Sequence, residues 1–110
     1  MKKITLSLIE NWYANHFEKT LSGRRILYET IAPLLNTMDN SLFSIKQLGS
    51  SEKNTPIYSV QIGDGPRKIL IWSQMHGNES TGTKAMFDLF KFLDCPENLD
   101  HIRAAVLNKC

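Results

Sequence analysis

The sequence predicts an α/β fold in which N-terminal helices precede the first part of a mixed sheet. Three observations lead to this class. Apolar residues recur at helical spacing before residue 40, they gather in short runs divided by glycine and proline over residues 42–73, and helical spacing then returns. We therefore expect a helical arm over residues 1–40 and an α/β unit over residues 41–110, within a single domain.

Two helices are predicted in the arm. Four apolar residues gather on one face of the first helix: Ile9, Trp12, Tyr13 and Phe17. We place this helix at residues 6–21, with a capping box of Ser7 and Glu10 at its start and Gly23 after its end. The second helical pattern contains Pro33, which lacks an amide hydrogen and clashes with the preceding turn. We expect a break there and a helix that has Pro33 in its first turn.

Strands are predicted in the middle of the chain. Residues 42–48 and 57–62 form short apolar runs, and residues 63–66 read Gly-Asp-Gly-Pro, which is a strong turn signal. The apolar run 69–72 follows at once, so we expect a hairpin over residues 57–73. Because this run does not alternate with polar residues, it is predicted as a central strand that is covered on both faces.

Two further helices are predicted after the strands. Helical spacing resumes near residue 79 and places five residues on one face: Ala85, Met86, Leu89, Phe90 and Leu93. The proline in Asp94-Cys95-Pro96 ends this helix. Leu99, Ile102 and Val106 then indicate a last amphipathic helix.

Composition excludes several classes of protein. Thirteen basic and eleven acidic residues leave a net charge of +2, and the basic residues are scattered, so no nucleic-acid partner is indicated. No apolar run approaches the roughly 20 residues of a membrane span. Thr5 and Ser7 interrupt the apolar start, which lacks a signal-peptide cleavage site. We expect a cytoplasmic protein with reduced Cys95 and Cys110.

The loop after the apolar run carries His76 and Glu79, separated by Gly77 and Asn78. In open α/β sheets, ligands bind most often where a strand ends and a helix begins. An imidazole and a carboxylate at this spacing reach one Zn²⁺ at about 2.0–2.2 Å when the loop is tightly bent, and Gly77 permits that bend. The alternative is a surface loop in which Glu79 only complements the helix dipole.

A second motif precedes this loop and makes the pattern more specific. Its residues, in order, are Gly49, Ser51, Pro56 and Ile57. The two motifs, within residues 42–93, resemble those of the zinc metallocarboxypeptidases, in which the second motif also reads His-Gly-Asn-Glu. One departure is Asn54-Thr55, which stands where that family has Gly-Arg, so a guanidinium expected to contact substrate is missing.

The resemblance implies a zinc-dependent carboxypeptidase that hydrolyses the C-terminal peptide bond of a peptide substrate. It implies that His76 and Glu79 are Zn²⁺ ligands and that water holds the open position. The family's third ligand, its carboxylate-binding arginines and its general-base glutamate would lie beyond Cys110. We therefore expect the first part of that catalytic domain, which alone binds zinc weakly and hydrolyses nothing. We also expect it to self-associate, through the strands of its incomplete sheet or through swapped helices.

Two other functions remain open. A zinc acylase of the aspartoacylase or succinylglutamate desuccinylase type shares the His-Gly-Asn-Glu motif but usually lacks the motif that precedes it here. A non-catalytic binding module is the other possibility. His101 is expected to be solvated in a surface helix, and His16 is expected to pack on the first helix, so neither is assigned as a ligand.

Overall fold

The computed structural model describes residues 4–94 and 99–110. Within these ranges the chain forms four helices and a two-stranded antiparallel sheet, in the order α1 (Leu6–His16), α2 (Tyr28–Thr37), β1 (Phe43–Ser50), β2 (Pro56–Ile62), α3 (Thr81–Asp94) and α4 (Asp100–Lys109). The α/β class is therefore confirmed at this coarse level. No helix in the described ranges has both the length and the apolar character needed to cross a membrane.

Helix α1 is shorter than predicted and has a different cap. Thr5 accepts a hydrogen bond from the amide of Leu8 at 3.4 Å, so the cap lies before the predicted capping box. At the other end, the amide of Glu18 donates to Asp88 Oδ1 on α3 at 2.8 Å. This tertiary hydrogen bond replaces a further helical one, which explains why α1 ends at His16.

Pro33 does not break α2. The helix runs through it from Tyr28 to Thr37, so the predicted break is wrong. A proline inside a helix costs roughly 3 kcal/mol because its ring clashes and a hydrogen bond is lost. Continuing the helix buries Leu35 in the core and packs Ile31 and Leu34 against it, which offsets that cost.

The main core joins the N-terminal third of the chain to α3. Its buried residues are Leu21, Ile26, Leu35 and Phe87. Ile45 of β1 and Val60 of β2 face each other in the sheet and both pack against this cluster. Residues from both sides of position 40 therefore share one apolar cluster.

The two predicted strands are confirmed, but they pair with each other, whereas β2 was predicted to pair with the run that follows it. Phe43 pairs with Ile62 at one end of the hairpin and Ser50 pairs with Pro56 at the other. Leu48 is the extra residue of a bulge between them. Because β2 pairs with β1, the predicted hairpin over residues 57–73 is wrong.

The apolar run 69–72 has no regular secondary structure, and its side chains are exposed. The prediction of a central strand covered on both faces is therefore wrong. The backbone just before the run is held by the end of α4. The amides of Gly65 and Arg67 donate to the carbonyl oxygens of Cys110 and Lys109, at 2.7 and 3.0 Å. The amide of Arg67, just after the predicted turn, is thus bonded to α4 and not to β2.

Helices α3 and α4 form as predicted, and the predicted buried face of α3 is confirmed in part. Leu93 is buried and Phe90 packs against the core. Ala85 and Leu89 of the predicted face are exposed, and Thr83 and Phe87 are buried instead. The ring of Phe87 packs into the core. A helical apolar pattern wide enough to include both faces does not by itself determine which face turns inward.

Candidate functional site

His76 and Glu79 lie at the two ends of a tight turn before α3. The amide of Glu79 donates to the carbonyl oxygen of His76 at 3.0 Å, which closes the turn. Gly77 has no positive φ, and a Cβ there would meet no atom within 4 Å. The bend is therefore as tight as predicted, but it does not depend on the conformational freedom of glycine.

The two side chains converge. His76 Nδ1 lies 3.1 Å from Glu79 Oε2, and the side chains are 70% and 65% exposed. Two ligands on a tetrahedral Zn²⁺ at about 2.0–2.2 Å lie roughly 3.3–3.6 Å apart, so small rotations would let both atoms reach one ion. At this exposure, the direct interaction between an imidazole and a carboxylate contributes at most about 1 kcal/mol to stability.

The other histidines do not join this pair. His16 stacks on Trp12 with ring centroids 5.4 Å apart, as expected for a packing residue. His101 was expected to be solvated, but its Nε2 is buried and has no hydrogen-bond partner among the described residues. Across residues 4–94 and 99–110, no group of three or more His, Cys, Asp or Glu side chains is arranged to hold a metal ion.

Gln74 holds the turn in place. Its Nε2 donates to the carbonyl oxygens of Ile26 and Gly77, both at 2.8 Å, and its Oε1 accepts from the Thr83 hydroxyl at 2.7 Å. That hydroxyl is 2.8 Å from Ser73 Oγ, so Ser73 donates to it. The φ of Gln74 is 55°, a left-handed conformation that side chains rarely adopt. The three hydrogen bonds of the Gln74 side chain therefore compensate its strained backbone conformation.

Sequence reasoning missed Gln74 because a glutamine before the metal motif carries no signal by its type or spacing. Its partners lie on the segment before α2, in the turn and on α3, and only the folded chain brings these together.

An open cleft of about 570 Å³ lies beside this turn. Its lining includes Arg24, Asn78, Glu79, Ser80 and Lys84. Arg24 comes from the segment between α1 and α2, far from the motif in sequence, so spacing could not reveal it. The cleft thus combines one carboxylate of the predicted pair with two cationic side chains.

The residues of the preceding motif have clear structural roles in the hairpin. Ser51 donates its amide to the carbonyl oxygen of Thr55 at 2.8 Å, and its hydroxyl accepts from the Thr55 amide at 3.1 Å. Asn54 has a φ of 59°, a conformation that glycine and asparagine tolerate best. Gly49 pairs with Ile57 across the strands.

Cys110 is not among the described residues that line the cleft. Cys110 is a free thiol at the end of α4, and Cys95 lies outside the described residues.

No family model, curated protein or solved structure matches the chain.

Proposed function

We propose that His76 and Glu79 are two ligands of the zinc centre of a metallocarboxypeptidase-type hydrolase. The observation that carries this proposal is the 3.1 Å approach of Nδ1 and Oε2 across a closed turn. A catalytic zinc site needs three protein ligands and an open position. The third ligand of this proposal comes from outside the described residues, since these hold no group of three.

The β1–β2 loop also supports the proposal. Asn54 stands where the metallocarboxypeptidases have glycine, and its φ of 59° is one that glycine adopts freely. The backbone conformation of this chain at Asn54 is thus one that the glycine of the family's motif could also adopt. The adjacent Thr55 offers no guanidinium, so substrate contacts on this side would differ from those of the family.

Zinc bound at such a centre polarises the scissile carbonyl and lowers the pKa of its bound water. This chain's own residues have a narrower role. His76 offers the Nδ1 lone pair, Glu79 offers a carboxylate oxygen, and Gln74 fixes the carbonyl of Gly77 between them. Glu79 is the one carboxylate among the described residues that line the cleft, so the general base also has to come from elsewhere.

Zinc titration followed by the NMR signals of the imidazole rings tests the metal proposal. The chain has three histidines, so His16 and His101 are internal controls in the same sample. We expect the His76 signals to move with added zinc. Glu79→Gln removes one of the two proposed ligands and should weaken this response by at least about tenfold, the smallest loss typical of partners that only support a ligand. Glu52→Gln, at an exposed position in the β1–β2 loop, is the matched control. Equal shifts of all three histidines would contradict a site at this turn.

A non-catalytic binding module is the second candidate, and the exposure of the pair favours it. Catalytic metal centres occupy dry, shaped cavities, whereas His76 and Glu79 are largely solvated. A zinc acylase is disfavoured by the motif over residues 49–57. Hydrolysis of a peptide with a free C-terminus, but not of its C-terminal amide, by the product of the whole gene would support the peptidase over both alternatives.

Self-association is part of the same proposal. Within the described residues, β2 has β1 as its one neighbour, so its other edge is unpaired. The exposed run 69–72 is rich in residues that favour strands. A second copy of the chain supplies both an edge and an apolar run, and we propose that these pair between copies.

A further inference from the structure

The cleft beside the turn contains cationic groups that the proposed metal pair does not use. Arg24 and Lys84 both line it. In the part of the chain that the structure describes, neither side chain forms an ion pair. The two cations outnumber Glu79, the one carboxylate among these lining residues, so the potential in the cleft favours an anion.

The N-terminus of α3 opens into the same cleft. This helix is 14 residues long, and the first amide to find an acceptor in the preceding turn is that of Lys84, which donates to the Ser80 carbonyl at 3.1 Å. No hydrogen bond within the described ranges reaches the amides of Thr81 and Gly82, which also line the cleft. Free amides and the helix dipole together attract negative charge.

The hydroxyl of Ser80 is the second, independent indication of a ligand. Ser80 is 5% exposed and lines the cleft, and its hydroxyl has no hydrogen-bond partner among the described residues. Among the described residues, His101 Nε2 is the one fully buried side-chain nitrogen or oxygen that lacks a hydrogen-bond partner. The Ser80 hydroxyl, which also lacks a partner, is therefore not fully buried and keeps some accessible surface. Because Ser80 lines the cleft, we infer that the remaining accessible surface of this hydroxyl faces it. A nearly buried hydroxyl without a partner is unfavourable, and a bound oxygen atom would satisfy it.

We propose that this cleft binds the phosphate group of a small molecule. The Arg24 guanidinium and the Lys84 ammonium pair with its oxygens, while the Ser80 hydroxyl and the first amides of α3 donate hydrogen bonds to it. A phosphate group suits this set better than a carboxylate because it has more acceptor oxygens and carries up to two negative charges. Neither His76 nor Glu79 is among the groups that would bind the phosphate, so phosphate binding can be tested separately from zinc binding.

Calorimetric titration with inorganic phosphate, in the presence of a metal chelator and at low ionic strength, tests this site. The neighbouring arginines form a matched pair, because Arg24 lines the cleft and Arg25 does not. We expect saturable binding that Arg24→Gln weakens by about tenfold and Arg25→Gln leaves within twofold, as loss of one charge-assisted hydrogen bond predicts. Ser80→Ala should weaken binding by about three- to tenfold on the same grounds.

Circular dichroism of each variant establishes that it is folded, and Lys84→Gln gives a second, partly exposed position whose substitution does not disturb the core. Acetate, titrated in the same way, should bind at least tenfold more weakly than phosphate if the number of acceptor oxygens decides affinity. Phosphate binding that does not saturate, or that falls equally in Arg24→Gln and Arg25→Gln, would overturn the site. Acetate binding as tight as phosphate would overturn the choice of ligand.

Discussion

The sequence predicts strands both in the β1–β2 hairpin and in the apolar run 69–72, but only the residues of the hairpin form strands. The strands of the hairpin lie next to each other in sequence, so their pairing requires only a short loop. A central strand at 69–72 would need neighbours on both sides, and the structure holds the backbone before it against α4. The predicted hairpin over residues 57–73 would need a loop just as short, so loop length does not separate the two segments. What separates them is the contact of Gly65 and Arg67 with the end of α4, which lies far along the chain.

Matched substitutions in the two segments should show the largest difference. Phe43 in β1 is 2% exposed and its ring packs edge-on against Phe90, 5.7 Å between centroids, whereas Leu70 is 83% exposed. We expect Phe43→Ala to lower the free energy of unfolding by about 3–5 kcal/mol and Leu70→Ala to change it by less than about 0.5 kcal/mol. Urea unfolding followed by circular dichroism measures both.

A cost above about 1 kcal/mol for Leu70→Ala would contradict the exposed position of the run and indicate a buried strand. Leu48→Ala, at the exposed bulge, tests whether the result for Leu70 reflects exposure in general. It should behave like Leu70→Ala.

Element type was predictable for most of the chain, but the direction of packing was not. The two strands and helices α3 and α4 follow from spacing, glycine and proline. The end of α1 follows from a contact with Asp88, which lies seventy positions away in sequence from its partner Glu18. Continuation of α2 through Pro33 likewise reflects burial of Leu35, a gain that appears only when the core is assembled.

The candidate site was predictable only in part, for the same reason. His76 and Glu79 meet because their spacing and one turn suffice to bring them together. Arg24 and Gln74 could not be identified, since their roles depend on segments that fold against one another over long sequence distances.

Gln74 joins the regions before and after the exposed run, so its removal should have the next largest effect. Gln74→Ala removes three side-chain hydrogen bonds and keeps the strained φ, and we expect a loss of about 2–3 kcal/mol at roughly 1 kcal/mol for each bond. Chemical denaturation measures this loss.

Gln74→Gly separates the two contributions at this position. It removes the same hydrogen bonds but relieves the left-handed backbone, so it should be less destabilising than Gln74→Ala by about 1 kcal/mol. If glycine and alanine cost the same, the positive φ is not a source of strain. If both are neutral, the hydrogen bonds do not hold the turn.

The exposed run should also decide whether the chain self-associates. Replacing both Leu70 and Trp72 with lysine adds charge to an apolar segment without removing a core contact. We expect the concentration at which the chain associates to rise by about tenfold, or roughly 1.4 kcal/mol. Static light scattering over a concentration series measures the shift. A wild-type chain that stays monomeric throughout would remove the proposal, and Lys46→Gln on β1 serves as a control for changes in charge.

The smallest expected effect is a pH dependence in the well-packed region. Glu18 is buried beside α3, where its carboxylate accepts from the Thr20 hydroxyl at 2.7 Å and lies 3.5 Å from Lys91 Nζ. Burial alone would raise the pKa of Glu18, but the hydrogen bonds from Thr20 and the charge of Lys91 outweigh it and hold this pKa below its ordinary value of 4.5. The folded state therefore favours the ionised form.

A folded-state pKa below the unfolded one means that Glu18 stabilises the protein above the unfolded pKa, and that this stabilisation is lost as the pH falls through the folded one. Acidification from pH 6 to below the pKa should therefore destabilise wild type more than Glu18→Gln, with a difference of about 1 kcal/mol set by the lost charge-assisted contacts. Glu10→Gln, exposed on α1, makes the same change of charge without these contacts and should track wild type. Denaturant midpoints measured at a series of pH values supply the comparison, and a Glu18→Gln curve parallel to wild type would show that the contacts of this carboxylate contribute nothing.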